Sequence, residues 1–470
     1  MKNLLNKKSE NGGKFKVTIM IALCMLSSLS MNCKNYLEVG TPEASIEQQN
    51  ILNNDELAIS ALLGIYSKMS TYSFAYGGQG SVTLMCGLSS DELIAYNTLG
   101  SEFYENKVTP ENDLLNQLLF GSPYQAIYTS NVILEGLSGP NSITSKVKNQ
   151  IEGEARFIRA FSYFYLVNLF GSVPLHLNSD YRILQNAQQA SVTDIYNQII
   201  LDLRASEQLL DENYVTIERV RPNKSTVQAL LSRVYLYLKD WQNAENYATT
   251  VISKSSVYNL NTLDKAFEKS SSETIWQLMP PAGKNTNEGA AFILSATPLV
   301  VSLRNTFATN AFEVTDKRKI AWIKSFTNTA GTFYFPFKYK IASSTNVNEY
   351  SVVLRLAEVF LIRAEARAQL DKLSLAIEDI DKIRGRAGIA LIKDTNPQIN
   401  KTNLIQIILN ERRLELFTEW GHRWLDLKRT GKATEVLSPV KSSWNSTDVL
   451  YPIPSKEINR NSNIKQNDGY

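Results

Sequence analysis

Residues 409–431 read LNERRLELFTEWGHRWLDLKRTG, a charged amphipathic helix that runs into a Trp-Gly-His-Arg-Trp turn. Asn403 with Gln406 three residues on has the form of a capping box ahead of this helix, and Gly421 suits its C-terminal end. Glu411 and Glu415 lie one turn apart and share a face. With Asp426 they are the acids most easily cast as catalytic, since a buried member of such a pair becomes a general acid. Arg412, Arg413 and Arg423 stand beside them, and guanidinium partners hold carboxylates ionised. The role expected of these acids is structural ion pairing.

Working outward, helical periodicity dominates. Within 226–238, Val227, Leu230, Leu231, Val234 and Leu238 fall on one helical face, and Ala244, Ala248, Val251 and Ile252 do so after Lys239-Asp240. The pair has tetratricopeptide size, with Ala244, nine residues after Tyr235, where two helices must approach closely. A second such pair runs from Leu354 to Ile383, with Ala364, Ala376 and Ile380 on the facing sides. One pair cannot bury its face alone, so the fold class expected is mainly α: a right-handed, tetratricopeptide-like α-superhelical scaffold with little strand. Phe157–Phe170 is apolar almost all round and belongs in a core, with Gly171 and Pro174 ending it.

Long stretches without clear period separate these blocks, roughly 70–112, 254–350 and 431–470. Loops of that length in a compact protein are functional or disordered, and their aromatic content argues against disorder. Thr71–Gly80 reads TYSFAYGGQG and 331–339 reads GTFYFPFKY, the second with an alternation that suits a short strand. Pyranose rings stack on exposed aromatic faces while amides and charged forks take their hydroxyls. By position, Tyr72, Phe74 and Tyr76 in the Gly-rich loop, Tyr96 and Asn97 after the Ser-Ser-Asp-Glu of 89–92, and Trp322 and Tyr334 beyond Asp316-Lys-Arg318 are the candidate ligand-binding residues.

The N-terminus carries five Lys against one Glu in residues 1–16, then an apolar run from Val17 to Leu29. A membrane-spanning helix needs about 20 apolar residues, so the run reads as a secretory signal over residues 1–32. Cys33 follows it, as in a lipoprotein, although Ser30, Met31 and Asn32 lack the usual Leu and Gly or Ala of a lipobox. Ordinary cleavage leaving Cys33 as a free thiol is the alternative. Without residues 1–32 the charged residues fall to 44 basic and 45 acidic, a net charge of about −1. No basic face is supplied for nucleic acid. With Cys24 in the signal and Cys33 acylated, Cys86 is left alone and no intrachain disulfide is expected.

His176 and His422 lie far apart in sequence and make no metal-ligand cluster, and no cofactor motif is present: no Gly-Lys-Ser/Thr loop, no dinucleotide fingerprint, no Gly-x-Ser-x-Gly elbow. The expectation is a non-enzymatic protein without metal or cofactor.

The segment 409–431 resembles the signature of the RagB/SusD family of outer-membrane nutrient-binding lipoproteins, through Glu411, Arg412, Arg413, Gly421, His422, Arg423, Trp424, Asp426, Leu427 and Arg429. Trp420 departs from it, standing where a Glu commonly precedes the Gly. Residues 154–175, 191–210, 226–252, 353–389 and 450–470 are similar to the family's successive helices and terminus. The family's start, Cys with an aromatic, Leu and acid following, matches Cys33, Tyr36, Leu37 and Glu38. The resemblance implies one domain over 33–470, with an N-terminal part over 33–225 and a C-terminal part over 272–470. It implies a lipid anchor at Cys33, for which two acyl chains at ~0.8 kcal/mol per buried methylene give stable attachment. It also implies surface exposure on the outer membrane, an oligosaccharide ligand, and a SusC-like TonB-dependent transporter as partner. Starch-binding members use loops after the comparable Asp-Glu and from mid-chain, which favours Tyr96, Asn97 and Trp322. Peptide capture by the same family, or a structural tetratricopeptide adaptor, are the alternatives.

Overall fold

Capping and apolar periodicity place the helices. The computed structural model describes residues 54–139 and 141–470, and Ile51–Tyr470 pack as one compact unit. The signal segment, Cys33, Tyr36, Leu37 and Glu38 lie outside the described residues. In the first half stand α1 (Asp55–Thr71), α2 (Val82–Ser89), β1 (Leu93–Ala95), α3 (Thr98–Glu105), α4 (Ser122–Ser138), α5 (Ser145–Phe170) and α6 (Val192–Leu209). Phe157, Phe161, Phe164 and Phe170 of α5 are all fully buried, with α4 and α6 packed against that helix. Gly171, at φ +74°, ends it as its lack of a Cβ allows.

The second half opens with α7 (Lys224–Tyr237), whose capping box joins Asn223 and Thr226, and α8 (Trp241–Ile252), capped by Asp240. There follow β2 (Thr274–Leu278), β3 (Val301–Leu303), β4 (Ile323–Asn328), β5 (Gly331–Pro336) and β6 (Ser351–Arg355). The chain then returns to helices in α9 (Leu356–Gln369), α10 (Leu373–Ala387), α11 (Lys401–Leu416) and α12 (His422–Arg429). α8 packs on α9, and α9 on α10 and α11, so helix pairs stack with Ala244, Ala248, Ala364 and Ala376 fully buried. The protein is mainly α with little strand, a stacked tetratricopeptide-like arrangement. Among the described residues no helix is long and apolar enough to cross a membrane.

Two local expectations change. The cap of α11 is Asn400, whose side chain accepts from the Asn403 N–H at 2.9 Å, so Asn403 receives the cap instead of supplying it. α11 stops at Leu416, five residues before Gly421; Phe417 turns extended, and Thr418 and Trp420 take positive φ of 52° and 49°. Gly421, at φ +73°, opens α12, and a Cβ there would lie 2.8 Å from the Cβ of Cys86. The tight turn thereby presses α12 onto α2. The stretches without helical period also hold order: β1, β3, β5 and β4 form one antiparallel sheet in that spatial order, while β2 pairs β6.

Candidate functional site

A buried cluster of charge lies behind the signature. Arg355, 1% exposed, meets Glu273 at 2.8 Å, Glu415 at 2.7 Å and Glu419 at 2.7 Å. Arg318 pairs with Asp316 at 2.7 Å, Glu411 at 2.6 Å and Glu415 at 3.2 Å. Arg386 pairs with Glu273 at 2.6 Å and also with Glu415, and Lys338 with Glu419. Burial pushes the Glu415 carboxyl up, but Arg386, Arg355 and Arg318 together outweigh it and hold it well below the usual range. For Glu411 burial prevails and its pKa rises, with Arg318 and Arg384 opposing. The partners of Glu411 and Glu415 therefore come from distant segments and not from Arg412, Arg413 or Arg423. Asp426 takes Arg412 at 2.8 Å and Arg429 at 2.6 Å. All three carboxylates are buried within ion pairs.

Arg413 and Arg423 reach instead across the fold to Asp91, at 2.8 and 2.6 Å. Burial alone would raise the Asp91 pKa, but these two guanidinium groups hold it at about 2. Next to it the Glu92 carboxylate accepts the Thr418 N–H at 3.1 Å, and burial pushes that group up to about 8. Lys441 donates to the carbonyls of Leu88 and Ser89 at 2.6 and 2.9 Å. The Ser-Ser-Asp-Glu segment is thus clamped by the C-terminal half, and β1 leaves it at a fixed angle.

Strand register decides which rings face outward. Leu93 pairs with Leu303, and Leu303 with Tyr334, so these three share the core side. The opposite side carries Ile94, Ser302 and Phe333, and Phe326 lies across from Phe333. Tyr96 extends this outer row: it is 39% exposed, its hydroxyl meets the Ser302 Oγ at 2.9 Å, and its ring lies edge-on to Phe333 at 6.0 Å. Asn97 caps α3 by accepting the Gly100 N–H at 2.9 Å, which leaves its amide NH2 without a protein partner among the described residues.

The predicted set divides accordingly. Tyr96 and Asn97 stand together at the end of β1. Tyr334 lies on the same sheet but is half-buried on the core side. Trp322 is corrected: it is fully buried, its Nε1–H donates to the Leu263 carbonyl at 2.8 Å, and its ring lies under Lys338 at 4.8 Å. It walls the buried charge cluster and offers no face to solvent. Phe74 is corrected likewise, 1% exposed and packed on Phe161 and Tyr165. Tyr72 is 58% exposed and Tyr76 half-buried, their rings 6.0 Å apart, and no ring contact joins them to Tyr96. Phe333, the ring that braces Tyr96, was missed although the alternation in 331–339 held its signal; Ser302, 1% exposed, supports the Tyr96 hydroxyl from beneath. Among the described residues no group of three His, Cys, Asp or Glu side chains is placed to hold a metal.

Comparison with known proteins gives two family matches. Residues 283–470 match the model described as the SusD family, and residues 35–236 one described as starch-binding associating with outer membrane. SusD-like protein P2 of Formosa agariphila is 26% identical over 97% of this chain and 100% of its own. A solved SusD superfamily protein from Bacteroides vulgatus superposes with a TM-score of 0.77 at 20% identity, covering 88% of this chain and 99% of that one. A solved laminarin-binding SusD-like protein gives a TM-score of 0.73 at 23% identity, covering 89% and 100%.

Proposed function

The chain belongs to the SusD/RagB family, and from that premise we propose that it captures an oligosaccharide on the outer row of the β1–β3–β5–β4 sheet. The observation that carries this reading is Tyr96: an exposed ring braced by Phe333 and Ser302, on a strand whose root is fixed through the buried Asp91 to two half-buried arginines. A sugar ring needs a platform that does not have to be ordered on binding, because ordering subtracts from affinity. Tyr96 supplies the stacking face, and the free amide of Asn97 supplies donors to a hydroxyl. Tyr72 forms a separate exposed ring. No bond is made or broken in the ligand.

Delivery follows from the same premise. A lipid anchor at Cys33 would hold the protein on the outer membrane beside a SusC-like TonB-dependent transporter, which takes the ligand over. The matched family description, starch-binding associating with outer membrane, supports this reading.

The test is calorimetry on the full-length protein in detergent with laminari-, malto-, xylo-, manno- and chitohexaose, then with a peptide pool. Saturable binding of a glycan that Tyr96→Ala weakens roughly tenfold, with the fold intact by circular dichroism, is the expected result. Binding of peptides alone would replace the glycan by a peptide ligand. Palmitate labelling that persists in Cys33→Ser would move the anchor elsewhere.

A further inference from the structure

A cleft of about 670 Å³ opens on another part of the surface, between α4, the segment 174–185 and the C-terminal helix Ser455–Arg460. That volume lies within the range of about 300–1,000 Å³ common to small-ligand sites. Two rings stand at it with much of their surface free: Tyr128, 43% exposed, and Tyr181, 64% exposed. Deeper in the cleft Tyr124 stacks obliquely on His176 at 5.0 Å, and its hydroxyl donates to the Pro174 carbonyl at 2.7 Å.

We propose that this cleft is a second carbohydrate site, taking a neutral, hydroxyl-rich oligosaccharide between Tyr128 and Tyr181. Three observations point to that chemistry. The first is the supply of hydrogen-bonding groups: the side-chain amides of Gln125 and Gln185 line the cleft with no protein partner among the described residues, and the His176 Nε2 is buried without one. The second is charge. Glu457 and Arg460, the carboxylate and guanidinium of the lining, pair with each other at 3.1 Å, so no net charge selects an ionic ligand.

The third is that the backbone in the cleft is already engaged, which disfavours an extended peptide. Peptide capture by strand addition needs free N–H and C=O groups. Here the Pro174 carbonyl is taken by Tyr124, and the His176 N–H donates to the Tyr163 hydroxyl at 2.6 Å while its carbonyl accepts from Asn131 at 3.1 Å. What remains for a ligand is rings and side-chain amides, the pattern that suits pyranose faces and their hydroxyls. The walls are fixed before any ligand arrives. Asn461 donates to the Ala187 carbonyl at 2.7 Å, and Gln189 exchanges bonds of 3.1 and 2.9 Å with the Lys465 backbone, tying the C-terminal tail to the segment that carries Tyr181.

The proposal rests on the chain being a glycan binder, and its test separates the two sites. Full-length protein in detergent is titrated with the five hexasaccharides named above and with the peptide pool, as wild type, Tyr96→Ala, and the double variant Tyr128→Ala/Tyr181→Ala. Both cleft rings are exposed, so the double variant is expected to keep its unfolding midpoint. Two glycan-binding events in the wild type are the expected outcome, one weakened roughly tenfold by Tyr96→Ala and the other weakened at least tenfold in the double variant. Binding lost only in Tyr96→Ala would overturn the cleft and leave the sheet site standing, and binding lost only in the double variant would do the reverse. Peptide binding that the double variant abolishes would overturn the glycan assignment of the cleft, and silence across the whole panel would overturn both sites.

Discussion

Arg355 holds three carboxylates that would otherwise be charged and dry. A buried ion pair adds little over a well-packed apolar pair, but removing one partner strands the others. Arg355→Ala is therefore expected to cost about 3–5 kcal/mol in denaturant unfolding. Retention of wild-type stability would show that Lys338 and Arg386 suffice for Glu273, Glu415 and Glu419. Trp322 belongs to the same account and shows where sequence stops informing. A tryptophan just ahead of a strand, in an aromatic mid-chain stretch, has the same local signature whether its face meets a sugar or a lysine. Its burial is fixed by Lys338 and Arg355, which arrive on other segments. The acids of the signature behave alike: helical spacing put Glu411 and Glu415 on one face, but Arg318, the guanidinium that bridges them, sits 97 residues before Glu415.

At the scale of elements, periodicity was legible wherever a helix buries one face. α7 with α8 and α9 with α10 follow from apolar spacing alone, and α5 from an apolar run closed by Gly171. Strands of three residues carry too little pattern, and β1 and β3 acquire order only by pairing, β1 with β3 and β3 also with β5. The β1 strand depends further on Asp91, which touches no candidate ligand residue yet fixes the strand that carries Tyr96. Asp91→Asn is expected to weaken glycan binding at Tyr96 several-fold, to speed amide exchange at Leu93–Ala95, and to leave the Tyr128–Tyr181 cleft unchanged. The clamp has a pH signature. With a folded pKa depressed to about 2, Asp91 contributes stability above the ordinary carboxyl value and loses it as pH falls through about 4 to 2. The stability gap between wild type and Asp91→Asn, about 2 kcal/mol at neutral pH, should close over that window.

For the whole molecule, the contact between the N-terminal segment and the C-terminal turn sets how the two sequence halves cohere. Glu92 lies in that contact, with a folded pKa raised by burial to about 8. The folded state keeps its proton at pH values where the unfolded chain releases it, so stability falls as pH rises from about 5 to 8. Glu92→Gln retains an oxygen for the Thr418 N–H and carries no proton to lose. The variant should gain on wild type progressively over that range in thermal unfolding, and parallel curves would place the ionisation elsewhere. The same contact contains Cys86, fully enclosed beneath Gly421 and Tyr451, its thiol pushed up to about 12 by burial. A sulfhydryl so sealed and so protonated reacts with an alkylating reagent only after α12 lifts from α2. The rate of maleimide capture at Cys86 is thus an internal clock for the parting of the two halves.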